Sequence, residues 1–263
     1  MSELSLIQYL LIALVFVWSG FVRSGLAFGG AVLSLPFLLL IHNDPLVFLP
    51  IISVHLLVFS SLTIWMNNRK PAGSAVSEDS TGPAGTVDWQ YLWKILGIMI
   101  VPKLIGVFGL ITLPSAVMSS IIFVIVSVYA VSYILNKPFR SKSPFVDTVF
   151  LMLGGYISGT SLIGAPLVIA VAAQHLPKER LRDTLFALWF ILVTIKMAAF
   201  VWADIDLQLI HHLWLLPCAT VGHVLGLWFH ERMLKSEPRV FFRFLGVVLL
   251  VVSSLGLWRG LAG

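Results

Sequence analysis

Charge is what this sequence has least of. Asp, Glu, Lys and Arg make up 11% of its 263 residues, while 59% are hydrophobic and the mean hydropathy is +0.98. A soluble domain carries about 25% charged residues. Too few remain here to coat a soluble globule, so the chain is an integral membrane protein. Its apolar runs do not alternate polar with apolar as barrel strands do, and they reach the roughly 20 residues of a spanning helix. Cysteine is almost absent as well. Cys218 stands alone within an apolar run, which excludes an intramolecular disulfide. The first apolar run follows Glu3 without a basic stretch before it, so it is a poor signal peptide and is expected to stay in the mature protein. The net charge of +5 does not point to nucleic acid, because the basic residues stand between apolar runs, where membrane topology explains them.

The apolar runs predict an all-α polytopic fold of ten helical segments. They are Leu4–Phe21, Leu26–Ile41, Leu46–Met66, Trp89–Leu110, Ser115–Leu135, Phe145–Ile157, Leu162–His175, Asp183–Trp202, Leu207–Phe229 and Val240–Leu257. The one long polar connection, 67–88, is rich in Gly, Ser and acids and reads as a mobile cytoplasmic loop. Lysine and arginine gather on the cytoplasmic side of membrane proteins. Arg69 and Lys70, then Lys137, Arg140 and Lys142, then Lys178, Arg180 and Arg182, and finally Arg232, Lys235 and Arg239 therefore mark loops on one side. His42–Pro45, Ile111–Pro114, Asp204 and Asp206 fall on the other, with both termini. Arg259 is the one basic residue out of place.

This count makes the chain one membrane domain, 1–263, of two halves with opposite orientation, about 1–136 and about 137–263. Each half opens with a short apolar hairpin interrupted by glycine and hydroxyl residues. The first is Ser19-Gly20-Phe21-Val22-Arg23-Ser24-Gly25-Leu26-Ala27-Phe28-Gly29-Gly30-Ala31, and the second runs from Gly154 to Pro166 through Ser158, Gly159, Thr160, Ser161 and Gly164. Other pairs agree: Pro45 with Pro177, and Pro102 followed by Gly106 with Pro217 followed by Gly222. Helix breaks in matching positions of inverted halves are a pointer to a transporter's binding site. Whether each hairpin is re-entrant or crosses fully, the topology is the same.

These stretches resemble the TauE/SafE family, the sulfite and sulfonate exporters. The resemblance is carried by Gly20-x4-Gly25-x3-Gly29-Gly30-x5-Pro36 and by Gly155-x3-Gly159-x4-Gly164-Ala165-Pro166, and it covers nearly the whole chain. It implies a transporter of the bacterial inner membrane for small sulfur-containing or related organic anions such as sulfite and sulfoacetate. The chain departs from the family pattern at Arg23, in a stretch that is usually uncharged, at Thr160 and Ser161, and at Ala165.

An anion inside a membrane needs compensation. Helix N-termini supply free N–H groups and the positive end of a dipole. The segments starting near Leu26 and Leu162 are placed to do so, beside the backbone of Gly25, Gly29, Gly30 and Gly159 and the hydroxyls of Ser24, Ser158, Thr160 and Ser161. A charged side chain at depth is a functional hypothesis by default. Arg23, Lys103 and Lys196 are the three such cations. Each has a structural alternative: Arg23 snorkels, Lys103 pairs with a carbonyl freed by Pro102, and Lys196 reaches the outer interface or Asp204 and Asp206. The glycines serve close helix packing equally well. His55 and His223 are candidate proton relays, though a histidine bonded to a carbonyl is commoner. No cofactor or metal is expected, since His211 and His212 are adjacent, a poor spacing for one metal on a helix.

Catalytic signatures are missing. Ser158 lacks the spacing of a nucleophile elbow, and His230-Glu231 has no second histidine at metal-binding distance. The reading is a secondary exporter working by alternating access, with the lipid bilayer and a small anion as partners and no nucleic acid. An anion channel and a partner subunit without its own pathway are the alternatives. A monomer and a homodimer are both compatible with the sequence. A membrane-impermeant label at Lys70 or Lys178 is expected to react only from the cytoplasmic face; reaction from outside overturns the topology.

Overall fold

The structure, a computed structural model, describes residues 4–26, 30–68, 87–137, 139–141, 143–233 and 238–262. Gly29, Arg69, Lys70, Lys142 and Lys235 lie outside these, as do the side chains of Trp65, Lys178, Arg182, Arg232 and Arg239. The described residues form ten α-helices and no strand: α1 (Leu6–Leu26), α2 (Gly30–Ile41), α3 (Pro45–Asn68), α4 (Trp89–Thr112), α5 (Ser115–Ile134), α6 (Pro144–Ser161), α7 (Ala165–His175), α8 (Lys178–Trp202), α9 (Leu209–Met233) and α10 (Pro238–Ala262). Seven are long and apolar enough to cross a membrane: α1, α3, α4, α5, α8, α9 and α10. The protein is a polytopic helical membrane protein.

The departures from the expected segments that shape the site lie in the hairpins. Both first helices run through their glycines. α1 continues past Gly20 and Gly25 to Leu26, and α6 past Gly155 and Gly159 to Ser161. Apolar neighbours on both sides carry the helical hydrogen bonding across single glycines, whose cost is only about 1 kcal/mol each. The second chain reversal comes later, where Leu162 takes a left-handed conformation at φ 63° and its N–H returns to the Ser158 carbonyl. The polar connection is shorter than 67–88, because α3 extends through Asn68 and the Asp88 side chain caps α4 by accepting from the Tyr91 N–H.

Length settles the hairpin geometry. α1 has 21 residues and α6 has 18, which rise roughly 32 and 27 Å. α2 has 12 and α7 has 11, which rise only roughly 16–18 Å, well short of a core of about 30 Å. Each hairpin is a long helix followed by a half-length return. The mouths of the hairpins are tied by polar contacts, Gln8 Nε2 to the Ile41 carbonyl in the first and His175 Nε2 with Asp147 in the second. The inner ends of α2 and α7 therefore begin inside the bundle. Gly30 lies against Ser19 and Arg23, and Gly164 against Gly154.

Packing crosses between the halves. α1 lies along α9, α6 along α4, and α5 along α10. Glycine makes each seam possible. A Cβ on Gly20 would overlap the Ala219 carbonyl, and one on Gly222 the Val17 carbonyl. In the α4–α6 seam Gly155 faces the Met99 carbonyl, Gly106 faces Tyr156, and Gly159 faces Lys103 and Gly106. Gly246 and Gly256 admit α5 against α10. Without a hydrophobic force between helices in lipid, such backbone approach and its van der Waals contact hold a bundle together. Exchanging each helix for the one five later turns the α1–α9 pair into α6–α4 and leaves α5–α10 and α3–α8 unchanged, while the α2–α10 contact has no α7–α5 counterpart of similar extent. Buried apolar residues from both halves, from Ile12 to Leu249, share one core cluster.

Trp89, Trp93, Trp202 and Trp258 are exposed at or near helix ends, as interfacial rings are. Trp18 is different: its Nε1 donates to the Leu33 carbonyl, 3.1 Å away, and ties α1 to α2. Gly222→Val is expected to splay α1 from α9 and lower the unfolding temperature in detergent, at an overpacking cost of about 1–3 kcal/mol. Gly97→Ala, where nothing lies within 4 Å of the added carbon, is expected to leave it unchanged or slightly higher. Scanning fluorimetry of the two variants distinguishes them.

Candidate functional site

The sequence-predicted residues fall into two groups, one on α1, α3 and α9 and one on α4, α6 and α8. These are corresponding triplets under the five-helix exchange.

Arg23 lies near the end of α1. Its Nη1 donates to the His55 carbonyl at 3.5 Å, a long bond, and its Cζ sits 4.8 Å from the centre of the Phe59 ring. Its Nε is buried and has no hydrogen-bond partner. Gly30, the first residue of α2, lies against the same side chain, with its position for a Cβ 3.4 Å from Nε. The positive end of α2 and the guanidinium thus share one place. Snorkelling to an interface does not describe this arginine.

Ser24 follows on the same helix. Its Oγ donates to the Gly20 carbonyl at 3.1 Å and meets His223 Nδ1 on α9. One hydroxyl has one proton, so with Gly20 as acceptor His223 donates from Nδ1. The Phe59 ring meets both candidate histidines, tilted against His223 at 5.1 Å and edge-on to His55 at 6.5 Å. His55 is fully buried, and neither ring nitrogen has a hydrogen-bond partner. Its neighbours are the rings of Phe16, at 5.1 Å, and His212, at 5.4 Å. No hydrogen bond joins His55 to His223 among the described residues. Gly25 is part of α1, and Gly29 lies outside the described residues.

In the second group Lys103 is fully buried on α4. Its Nζ donates to the Ser158 carbonyl at 3.2 Å and to the Ser158 Oγ at 3.1 Å. The carbonyl it finds is thus on α6 and not the one expected beside Pro102. Thr160 and Ser161 are buried too, and both hydroxyls donate to the Ile157 carbonyl, at 3.1 and 3.0 Å. Such back-bonding to the preceding turn is what helical Ser and Thr do when no other acceptor is near. Gly159 is packed against α4 by the seam described above.

Lys196 sits on α8 and is fully buried, and its Nζ has no hydrogen-bond partner. Among the described residues it lies over the face of Phe200, 5.7 Å away. It reaches neither the outer interface nor Asp204 or Asp206. The sequence reading passed over Phe59 and Phe200, and weighed His212 only as a metal ligand. A signal for the two aromatic rings was present: Phe59 stands four after His55 and Phe200 four after Lys196, a spacing that puts each pair on one helix face.

The electrostatics of the two groups are one-sided. The ion pairs found among the described residues, His175 with Asp147 and Arg180 with Asp88, lie at helix ends. Along α1, α4 and α8 no acid stands within three turns of Arg23, Lys103 or Lys196. The arrangement is suited to holding an anion. Among the described residues no cluster of three metal-ligating side chains occurs.

A family model described as sulfite exporter TauE/SafE matches residues 11–256. No curated protein and no solved structure matches the chain.

Replacing Lys196 by Met removes an unpartnered polar head and keeps the volume. Substituting buried ionic groups by apolar ones of similar size is often stabilising by about 1–4 kcal/mol. Lys196→Met is therefore expected to raise the unfolding temperature of the ligand-free protein while abolishing stabilisation by anions. A fall in that temperature overturns the assignment of Lys196 as an unpaired group.

Proposed function

The chain belongs to the sulfite exporter TauE/SafE family, and from that membership we propose that it exports small sulfur-containing or related organic anions, such as sulfite and sulfonates, across the bacterial inner membrane by alternating access. The family is one of membrane transporters and not of enzymes. The observation that carries the reading is the set of three cations, Arg23, Lys103 and Lys196, placed inside a helical bundle with no acid beside them. A buried charge without a partner is strongly unfavourable. An anion is the partner that this place lacks.

In this reading Arg23 contacts the substrate together with Ser24 and the N-terminal turn of α2, which begins at Gly30 against the Arg23 side chain. Lys103 and Lys196 contact it from the second half. Lys103 also positions Ser158, while Gly159, Thr160 and Ser161 form the turn that starts α7. The half-length α2 and α7 bring two helix N-termini to this depth, which is how discontinuous helices receive anions in other transporters. The two halves, about 1–136 and 137–263, are inverted copies that rock against each other, with basic loops cytoplasmic and both termini periplasmic.

Ligands that bind the folded state raise its apparent stability. In a thermal-shift screen of purified protein against sulfite, thiosulfate, sulfoacetate, taurine and simple carboxylates, sulfite or the sulfonates are expected to stabilise. Arg23→Gln is expected to weaken that binding about tenfold or more, the loss of one charged hydrogen bond of roughly 1.5–3 kcal/mol. Equal affinity in Arg23→Gln removes Arg23 from the site, and no shift by any anion removes the anion reading. Saturable counterflow in vesicles separates a transporter from a channel.

A further inference from the structure

Charge and burial are at odds at Lys196 more than anywhere else among the described residues. The side chain is fully buried and Nζ has no hydrogen-bond partner. The charged group whose field reaches it is a second buried cation, Lys103. Lys103 has two acceptors in Ser158, so the two lysines are not equivalent.

The helices packed against α8 bring no compensation. On α3 the titratable group is His55, which faces Phe16, Phe59 and His212. On α7 it is His175, occupied with Asp147 at the mouth of the hairpin. On α4, Tyr91 and Lys94 stand more than two turns before Lys103. The charged residues of α8 itself, from Lys178 to Asp183, stand more than three turns before Lys196. Phe200 offers only its π-face.

Two events relieve an ammonium in such a place: departure of its proton, or arrival of an anion. An anion is what the proposed function delivers, so the two events are linked. We propose that Lys196 is the site at which a proton joins the transported anion: Nζ binds a proton when the anion settles beside it and releases it when the anion leaves. This rests on the anion-transport reading. The proton comes from water on the side where the anion binds, forms an N–H bond at Nζ, and returns to water on the side where the anion is released; no electron moves. A monovalent anion then crosses without net charge. Export runs on the outward gradient of the anion, which has to exceed any opposing proton gradient, and the membrane potential neither helps nor hinders. Lys103, held by Ser158, keeps its place throughout.

The test uses the full chain in proteoliposomes that enclose a pH-sensitive dye, with potassium and valinomycin fixing the potential. The probes are isethionate, a sulfonate with no group titrating near neutrality, and sulfoacetate. Anion movement into the vesicles is expected to acidify the lumen by about one proton per isethionate and to keep its rate when the potential is changed. In Lys196→Arg the guanidinium holds its proton permanently, so the ratio is expected to fall toward zero and the flux to follow the potential. Wild-type flux that is proton-free and steered by the potential overturns the inference and leaves the transport reading standing. A ratio near one that persists in Lys196→Arg overturns Lys196 as the carrier. Absence of any wild-type flux with both probes overturns the transport reading itself, and this inference with it.

Discussion

Positive charge buried without negative charge is the constraint on which the rest of this molecule turns. In a medium of low dielectric, an isolated ammonium or guanidinium is costly enough that proteins pair it, neutralise it or leave it out. Here Arg23 and Lys196 each keep a buried nitrogen without a partner, while Lys103 has found Ser158. The remedy within reach of a protein, an aspartate or glutamate one turn away, is absent from the apolar stretches that hold them. In the proposed function, an anion supplies the negative charge that these positions lack.

Such a site needs a rigid frame, and the frame is built from backbone approach. α1 and α9, like α6 and α4, are so close along their glycines that a single methyl group would strike a carbonyl of the neighbour. These seams place the functional side chains. Ser24 can meet His223 because Gly20 and Gly222 bring α1 onto α9, and Lys103 can reach Ser158 because Gly106, Gly155 and Gly159 bring α4 onto α6. Packing and electrostatics are therefore one design: α1 is held by α9 and α6 by α4, and each seam carries a polar contact. The half-length α2 and α7 complete it by starting within the bundle, where their free N–H groups add to the positive side of the balance.

Much of this was legible in the sequence. The low charge, the length of the apolar runs and the helical reading of all ten segments follow from what a bilayer requires, and they needed no tertiary information. The glycine stretches were legible as special, but not what made them so. They were expected to break their helices, yet α1 and α6 run straight through, and Gly20, Gly155 and Gly159 face other helices. Composition alone cannot separate a glycine that bends its own helix from one that admits a neighbour, because both use the missing side chain. The same limit applies to Trp18, which a count of ring positions assigns to an interface and packing assigns to the Leu33 carbonyl.

The sequence by itself determined the class of the protein, the number of its helices, and the three cations that any account of its function has to explain. It did so because the partition of polar groups between water and lipid acts on local composition, which a reader sees directly. Tertiary structure alone decided how those cations are divided, with Arg23 beside His55 and His223 and Lys103 beside Ser158, and which of them stay unpaired. Whether Lys196 reaches Asp204, as its position along α8 suggested, or ends in a closed apolar place beside Phe200, depends on the rotation of α8 against α3 and α4. That rotation is set by contacts between residues far apart in the chain, and such contacts leave no periodic trace in it.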